Sequence, residues 1–219
     1  MNAEELSDSA YGLLKRTLRI VRLRIRNLFA TGRRKKKLRL FSDQPLRLHV
    51  GCGPILLSDW VNLDIDGHPD IYVDLTRRLP FRDGSVSHVF SEHVIEHLSL
   101  DEASHCIKEF ARVLTKRGIV RIATIDLDHV IRKYQGDWQN QKWLKTDGQD
   151  IRTRTQMLNA SFYRWGHRFI YNEEELRILL LSAGFSVVTR RAWGESDIQL
   201  LQGLERREES TLIMEAGSN

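Results

Sequence analysis

The chain has 219 residues, 41% of them hydrophobic, with 34 Lys and Arg against 29 Asp and Glu and a formal net charge of +5. That length buries the core of one domain without disulfide support, and two isolated cysteines, Cys52 and Cys106, exclude a disulfide framework and suit a reducing compartment. The positive charge is local: residues 1–40 hold 12 basic against 3 acidic groups, leaving 22 against 26 elsewhere, so the body of the chain lacks the basic footprint of a nucleic-acid enzyme.

In residues 1–40, Leu14, Leu18, Val21, Ile25 and Leu28 recur at spacings of four, three, four and three, with Lys15, Arg16, Arg19, Arg22 and Arg26 on neighbouring faces. The pattern predicts a basic amphipathic helix and linker; with the run from Arg33 to Lys37 it suits contact with an anionic membrane surface through residues 10–37. The plainer alternatives are a helix docked on the domain ahead of a solvated basic tail, or strand-like alternation from Val21 to Arg26. Arginines interrupt every apolar run, which argues against a bilayer-spanning helix and against a signal peptide. The expected location is cytoplasmic, peripheral on the inner membrane face.

A catalytic domain is expected over residues 41–219. His49-Val50-Gly51-Cys52-Gly53-Pro54 reads as a strand running into a tight glycine turn, and Val61-Asn62-Leu63-Asp64 as a second strand ending in an acid. Such a turn admits a ligand close to the backbone, and the acid can accept hydrogen bonds from ribose hydroxyls. Leu56 stands where a dinucleotide fingerprint has its third glycine, which weakens a pyrophosphate reading and favours a phosphate-free nucleoside cofactor. The stretch between Gly53 and Val61 is too short for a full helix. Residues 70–75 read as a short third strand and residues 86–90 as a fourth.

Ser99 and Glu102 form a capping-box pattern for a helix to about Leu114, followed by a turn at Lys116-Arg117-Gly118 and a strand over residues 119–123. Asn172 and Glu175 repeat the capping pattern for a helix from Leu176 to Ser182, which Gly184 ends. Residues 185–189 and 211–214 read as the last strands. Strands alternating with helices predict a doubly wound α/β sheet with helices on both faces. The connection over residues 126–171 is long enough to build a substrate lid. It interleaves Trp138, Trp143, Phe162, Tyr163 and Trp165 with Arg152, Arg154, Arg164 and Arg168, chemistry that suits sugar rings and anionic groups and equally suits a lid core with solvated charge.

In this order, HVGCGP, VNLDID, DIYVDL, LPFRDGSVSHVFSEHVIEHL and ARVLTKRGIVRIAT resemble the class I S-adenosylmethionine-dependent methyltransferases of the type 11 group. Trp165-Gly166-His167, Tyr171 and Gly194-Glu195-Ser196 are similar to signatures of a subgroup associated with surface-glycan biosynthesis. The resemblance covers roughly residues 46–200. It implies a Rossmann-like sheet of seven strands, the last antiparallel, and S-adenosylmethionine as cofactor. Gly51, Cys52, Gly53 and Asp64 would hold the methionine portion and ribose, Asp74 or Leu75 would lie by the adenine, and Ser91, Glu92 and His93 would border the methyl group. For each acid, a turn cap is the competing role.

The function expected is methyl transfer to a hydroxyl of a glycan, a glycolipid precursor or an acidic small molecule, with His93, His97 or His167 as base and no metal. One alternative is a non-catalytic cofactor-binding scaffold of the same fold. Another is a zinc hydrolase, because His93-Val94-Ile95-Glu96-His97 fits the H-x-x-E-H pattern, with Glu109 or His105 as its third ligand.

Overall fold

Leu48 and Val50 of β1 (Leu46–Val50) are fully shielded from solvent because the strand lies inside a sheet, between β2 (Val61–Asp64) and β4 (Val86–Glu92), parallel to both. The computed structural model describes residues 44–146 and 150–218, together with Val21 and Ile25. Those two residues apart, the predicted basic helix lies outside the described residues. Beyond β2 lies β3 (Ile71–Tyr72); beyond β4 lie β5 (Leu114–Thr124), β7 (Leu212–Gly217) and β6 (Val187–Arg191). The described residues therefore form a seven-stranded sheet in the order β3-β2-β1-β4-β5-β7-β6, with β7 antiparallel to both its neighbours. The chain leaves β1 toward one edge and returns to build the other, so the switch point falls between β1 and β4, where sheets of this type bind ligands.

Strand existence follows the sequence reading, and strand ends differ. The third strand contracts to two residues, since the Asp74 carboxylate accepts from Thr76 N–H (3.0 Å) and Thr76 Oγ1 (2.7 Å) and turns the chain there. β5 starts directly at the end of the preceding helix. Pairing passes from Val86↔Leu114 to His88↔Ile119, so the expected turn at residues 116–118 is an irregularity inside the strand.

Helix α1 (Leu100–Val113) carries both bonds of the predicted Ser99–Glu102 capping box. Its buried stripe of Ala103, Cys106, Ile107, Phe110 and Val113 faces the main core. The second cap forms its forward half, Asn172 Oδ1 accepting from Glu175 N–H at 3.0 Å at the head of Glu173–Ser182, which packs Leu176, Leu179 and Leu180 into the same core. The intervening segment is helical: α2 (Leu127–Gln135), α3 (Lys142–Thr146) and α4 (Arg154–Tyr163), with Glu173–Ser182 thus α5. A bridge between Asp126 and Tyr171 closes this segment at its two ends.

On the opposite face, Trp60 and Phe90 pack with Leu201 and Leu204. Arg121 projects from β5 without exposure to solvent, pairing with Glu205 (2.6 Å) and Glu215 (2.6 Å) and donating to Glu195 O (2.9 Å). Glu215 also meets Arg191 at 2.9 Å, so one buried charge network joins β5, β6, β7 and the segment before β7. Replacing Arg121 strands two buried carboxylates, and Arg121→Met should destabilise the fold by about 3–5 kcal/mol. Chemical denaturation of the two proteins checks this; a loss below about 1 kcal/mol would refute it.

Candidate active site

The turn after β1 is built from backbone. Gly51 (φ +68°) and Gly53 (φ +51°) both lie in the left-handed region, and the N–H groups of Gly51 and Cys52 donate to Leu63 O at 2.8 and 3.0 Å. The two glycines serve different ends. A Cβ on Gly51 would stand 2.0 Å from Val94 Cγ2, so this position is glycine because Val94 packs onto it. Around Gly53 a Cβ would meet nothing within 4 Å, which leaves backbone facing open space. Cys52 is buried, and burial pushes its thiol up to about 12, an inert packing residue.

Asp64, at the tip of β2, accepts from Gly53 N–H at 2.8 Å through one oxygen and from Ile65 and Asp66 N–H at 2.6 and 3.0 Å through the other. A carboxylate has about four acceptor positions, so one remains on the oxygen facing Gly53. Behind this turn, Asn62 Oδ1 bonds His49 Nδ1 and Leu57 N–H, while its amide donates to Asp70 and to the carbonyls of Leu57 and Trp60. That buried network, with His49 stacked on Phe90 at 5.3 Å, fixes the short connection that the sequence shows without a helix.

The other expected cofactor contacts are placed less uniformly. Ser91 is buried on β4 opposite Val50. Leu75 is half-buried against the main core, and Asp74 caps its own turn as described. The Glu92 carboxylate turns toward the segment before β7, accepting from Arg206 and Arg207 N–H and, at 2.8 Å, from Ser210 Oγ.

Past β4 the chain makes a corner. His93 is in the left-handed region (φ +53°), a conformation that costs a residue with a Cβ about 1–3 kcal/mol and is held here by His93 N–H donating to Ala123 O at 2.9 Å. A 3-10 turn, Ile95–His97, follows. The H-x-x-E-H residues therefore do not share one continuous helix, the arrangement on which the zinc-hydrolase reading depends. Glu109, one of the two third ligands considered, is bound by Leu79 N–H and Arg112, and the Arg112 guanidinium holds its carboxyl below the usual range.

Glu96 is wholly buried. Its Oε2 accepts from Thr124 Oγ1 at 2.9 Å. Oε1 lies 2.9 Å from His93 Nδ1, in close contact but too poorly aligned to count as a hydrogen bond. Burial pushes the Glu96 pKa up, yet the His93 contact, its own backbone and His97 together outweigh that and leave it lowered. The Glu96 carbonyl accepts from Arg168 and Phe169 N–H at 2.7 and 3.2 Å, which brings the end of the 126–171 segment against this turn. His167 is thereby placed beside His97, ring centroids 5.0 Å apart. His167 Nδ1 lies 2.8 Å from Ser161 O, and burial pushes its pKa down.

All three expected histidines line one cavity of about 660 Å³. Trp143 and Trp165 stand edge to face at 5.5 Å on its lid side, with Lys133 and Lys142. Arg207, Glu208 and Glu209 form the facing wall, where Lys142 pairs with Glu208. The cavity does not include the glycine turn; His93 and Val94 connect the two regions. Sequence reasoning missed Thr124, whose position at the carboxyl end of β5 was a usable signal. It also missed residues 207–209, a charge run with no motif, which Glu92 draws to the site.

Residues 59–122 match the family model described as a methyltransferase domain. No curated protein matches the sequence. Among solved structures, similarity is found to a S-adenosylmethionine-dependent methyltransferase from Thermotoga maritima (15% identity, 91% of this chain and 95% of that chain, TM-score 0.49). A second, from Archaeoglobus fulgidus, has 15% identity, 84% and 92% coverage and a TM-score of 0.48. A protein from Pyrococcus horikoshii OT3 has 17% identity, 91% coverage of each chain and a TM-score of 0.48. The matched residues run from β2 to β5, inside a seven-stranded sheet whose β7 is antiparallel to both its neighbours.

Proposed function

We propose that the protein is an S-adenosylmethionine-dependent methyltransferase whose acceptor is a hydroxyl of a sugar-containing molecule, a glycan or glycolipid precursor, bound in the 660 Å³ cavity, with an acidic small molecule as the simpler variant. The observation that carries this reading is the convergence of three imidazoles with two indoles beside the corner that Val94 packs onto the glycine turn. Indole faces suit sugar rings, and Lys133, Lys142 and Arg207 suit an anionic substituent.

The residues present fit the cofactor. Gly53 offers left-handed backbone with open space in front of it, and Asp64 retains one acceptor position for a ribose hydroxyl. When bound, S-adenosylmethionine supplies a methyl group on a sulfonium that departs as a neutral thioether, so C–O bond formation and C–S cleavage leave one acceptor proton to be removed. His93 would take it, a role supported by Glu96 lying against Nδ1 and by Nε2 standing at the cavity wall without a hydrogen-bond partner. The largest contribution of the chain is alignment, an effect that can supply about 7–11 kcal/mol. The basic segment over residues 10–37 supports a location at an anionic membrane surface, where a glycolipid acceptor would be met.

Three outcomes test these assignments. Calorimetry with S-adenosylhomocysteine should show Asp64→Ala weakened at least about tenfold, since it loses both the Gly53 tether and the free acceptor position; unchanged affinity refutes the contact. With labelled S-adenosylmethionine and a panel of sugar acceptors, His93→Ala should lower kcat by about 10²–10⁴ while S-adenosylhomocysteine binding is retained. Cofactor binding without transfer to any acceptor class would favour the scaffold. Deletion of residues 1–40 should abolish salt-sensitive sedimentation with anionic vesicles, and sedimentation that persists would remove the membrane assignment.

A further inference from the structure

Glu96 has no Lys or Arg ion-pair partner among the described residues; its side-chain oxygens lie against His93 and the Thr124 hydroxyl. One of its oxygens, Oε1, is shielded from solvent and has no aligned hydrogen bond. Beside it, Glu96, His97 and His167 each offer one ligand atom, and these atoms lie within 4.8 Å of one another. Ligands on a cation with bonds near 2.0–2.2 Å stand about 3–4 Å apart, a separation within reach of the half-buried His97 ring by rotation.

The surroundings have the form of a ligand set. Ser161 O can only accept, so His167 Nδ1 must carry the proton at their 2.8 Å contact, and Nε2 is left with its lone pair. Ligating imidazoles are oriented in this way, by donating their other N–H to a carbonyl. Thr124 orients Glu96 in the same sense by donating to Oε2. His97 and His167 face the 660 Å³ cavity, so positions opposite the three side chains are open to an acceptor.

We propose that Glu96, His97 and His167 bind a divalent first-row transition cation, whose open positions take the acceptor hydroxyl. Two imidazoles and one carboxylate select such an ion over magnesium or calcium. The sequence had suggested a metal-free site, or zinc on both histidines of H-x-x-E-H. The structure instead divides that motif: Glu96 and His97 ligate with the distant His167, and His93 stays outside the set. This deepens the acceptor assignment above and rests on it. The cation polarises the bound hydroxyl; its proton passes to His93 Nε2 and on to water, and the oxygen that remains forms the C–O bond as the C–S bond breaks.

The test uses untagged full-length protein, stripped with chelator and titrated with Co²⁺. One equivalent should bind with a visible absorption band distinct from the aqueous ion, and Zn²⁺ should displace it. His97→Ala, at a half-buried position, should weaken binding by at least about tenfold, and Thr124→Val by about 10-fold through loss of orientation alone. Circular dichroism establishes that each variant is folded, with His167→Asn as a further ligand variant. Absence of saturable Co²⁺ binding, or unchanged affinity in both folded ligand variants, overturns the site. Full methyl-transfer rate after chelation, with no cation retained, also overturns it and leaves the transferase standing. A bound cation without transfer to any sugar acceptor supports the cation site and removes the acceptor assignment instead.

Discussion

A carboxylate shut away from water, at Glu96, stands where three chain segments meet, and the geometry of the site depends on it. Its backbone carbonyl takes two N–H donors from residues 168 and 169, one oxygen takes the Thr124 hydroxyl from the end of β5, and the other faces His93. Burial of the charge works against the fold, and its partners offset that cost. The consequence is positional. The returning end of the 126–171 segment is held against the exit of β4, and His167 arrives beside His97 although 70 positions separate them in the chain.

The far wall of the cavity uses the same device with another acid. Glu92 gathers the N–H groups of Arg206 and Arg207 and the Ser210 hydroxyl, which fixes the segment carrying Arg207, Glu208 and Glu209. Behind it, Arg121 ties Glu205 and Glu215 within the sheet layer. Charges that hold the architecture are therefore buried and paired with partners fixed by the strands. Those lining the cavity remain partly open, on helices and loops at the carboxyl ends of β4 and β5. Glu92, expected from its place at the end of β4 to be a cofactor contact, also accepts from backbone N–H groups and a hydroxyl of this distant segment.

Much of the fold was legible because its signals are local. Glycines at the turn after β1, a capping box before α1 and alternating apolar strands are each fixed by a few neighbouring residues, and the strand order follows from their succession. Strand ends were less legible, since the Asp74 turn that shortens β3 and the irregularity that lengthens β5 depend on side-chain hydrogen bonds and on pairing with β4. The three histidines were legible as residues, whereas their grouping was not. It requires the Glu96 carbonyl bonds and the bridge between Asp126 and Tyr171, contacts with no sequence pattern. Gly51 was read as a place for a ligand; the structure adds that Val94 occupies the space of its missing Cβ. A sequence shows that a glycine is present and not which neighbour takes the space.

That last contact links the two halves of the site. On a continuous helix, His93 and His97 would lie one turn apart on one face and would compete for the same ion or substrate atom. The left-handed conformation at His93 prevents this: it turns the chain before the Ile95–His97 turn begins and separates the first histidine from the second. Such a corner stores strain, and Val94 packed on Gly51, with the His93 N–H bond to Ala123, holds it in place. Any side chain at Gly51 would push Val94 outward and move His93 with it. The turn expected to cradle the cofactor and the imidazole expected to receive the acceptor proton are thus set relative to each other by one van der Waals contact, without a hydrogen bond between them.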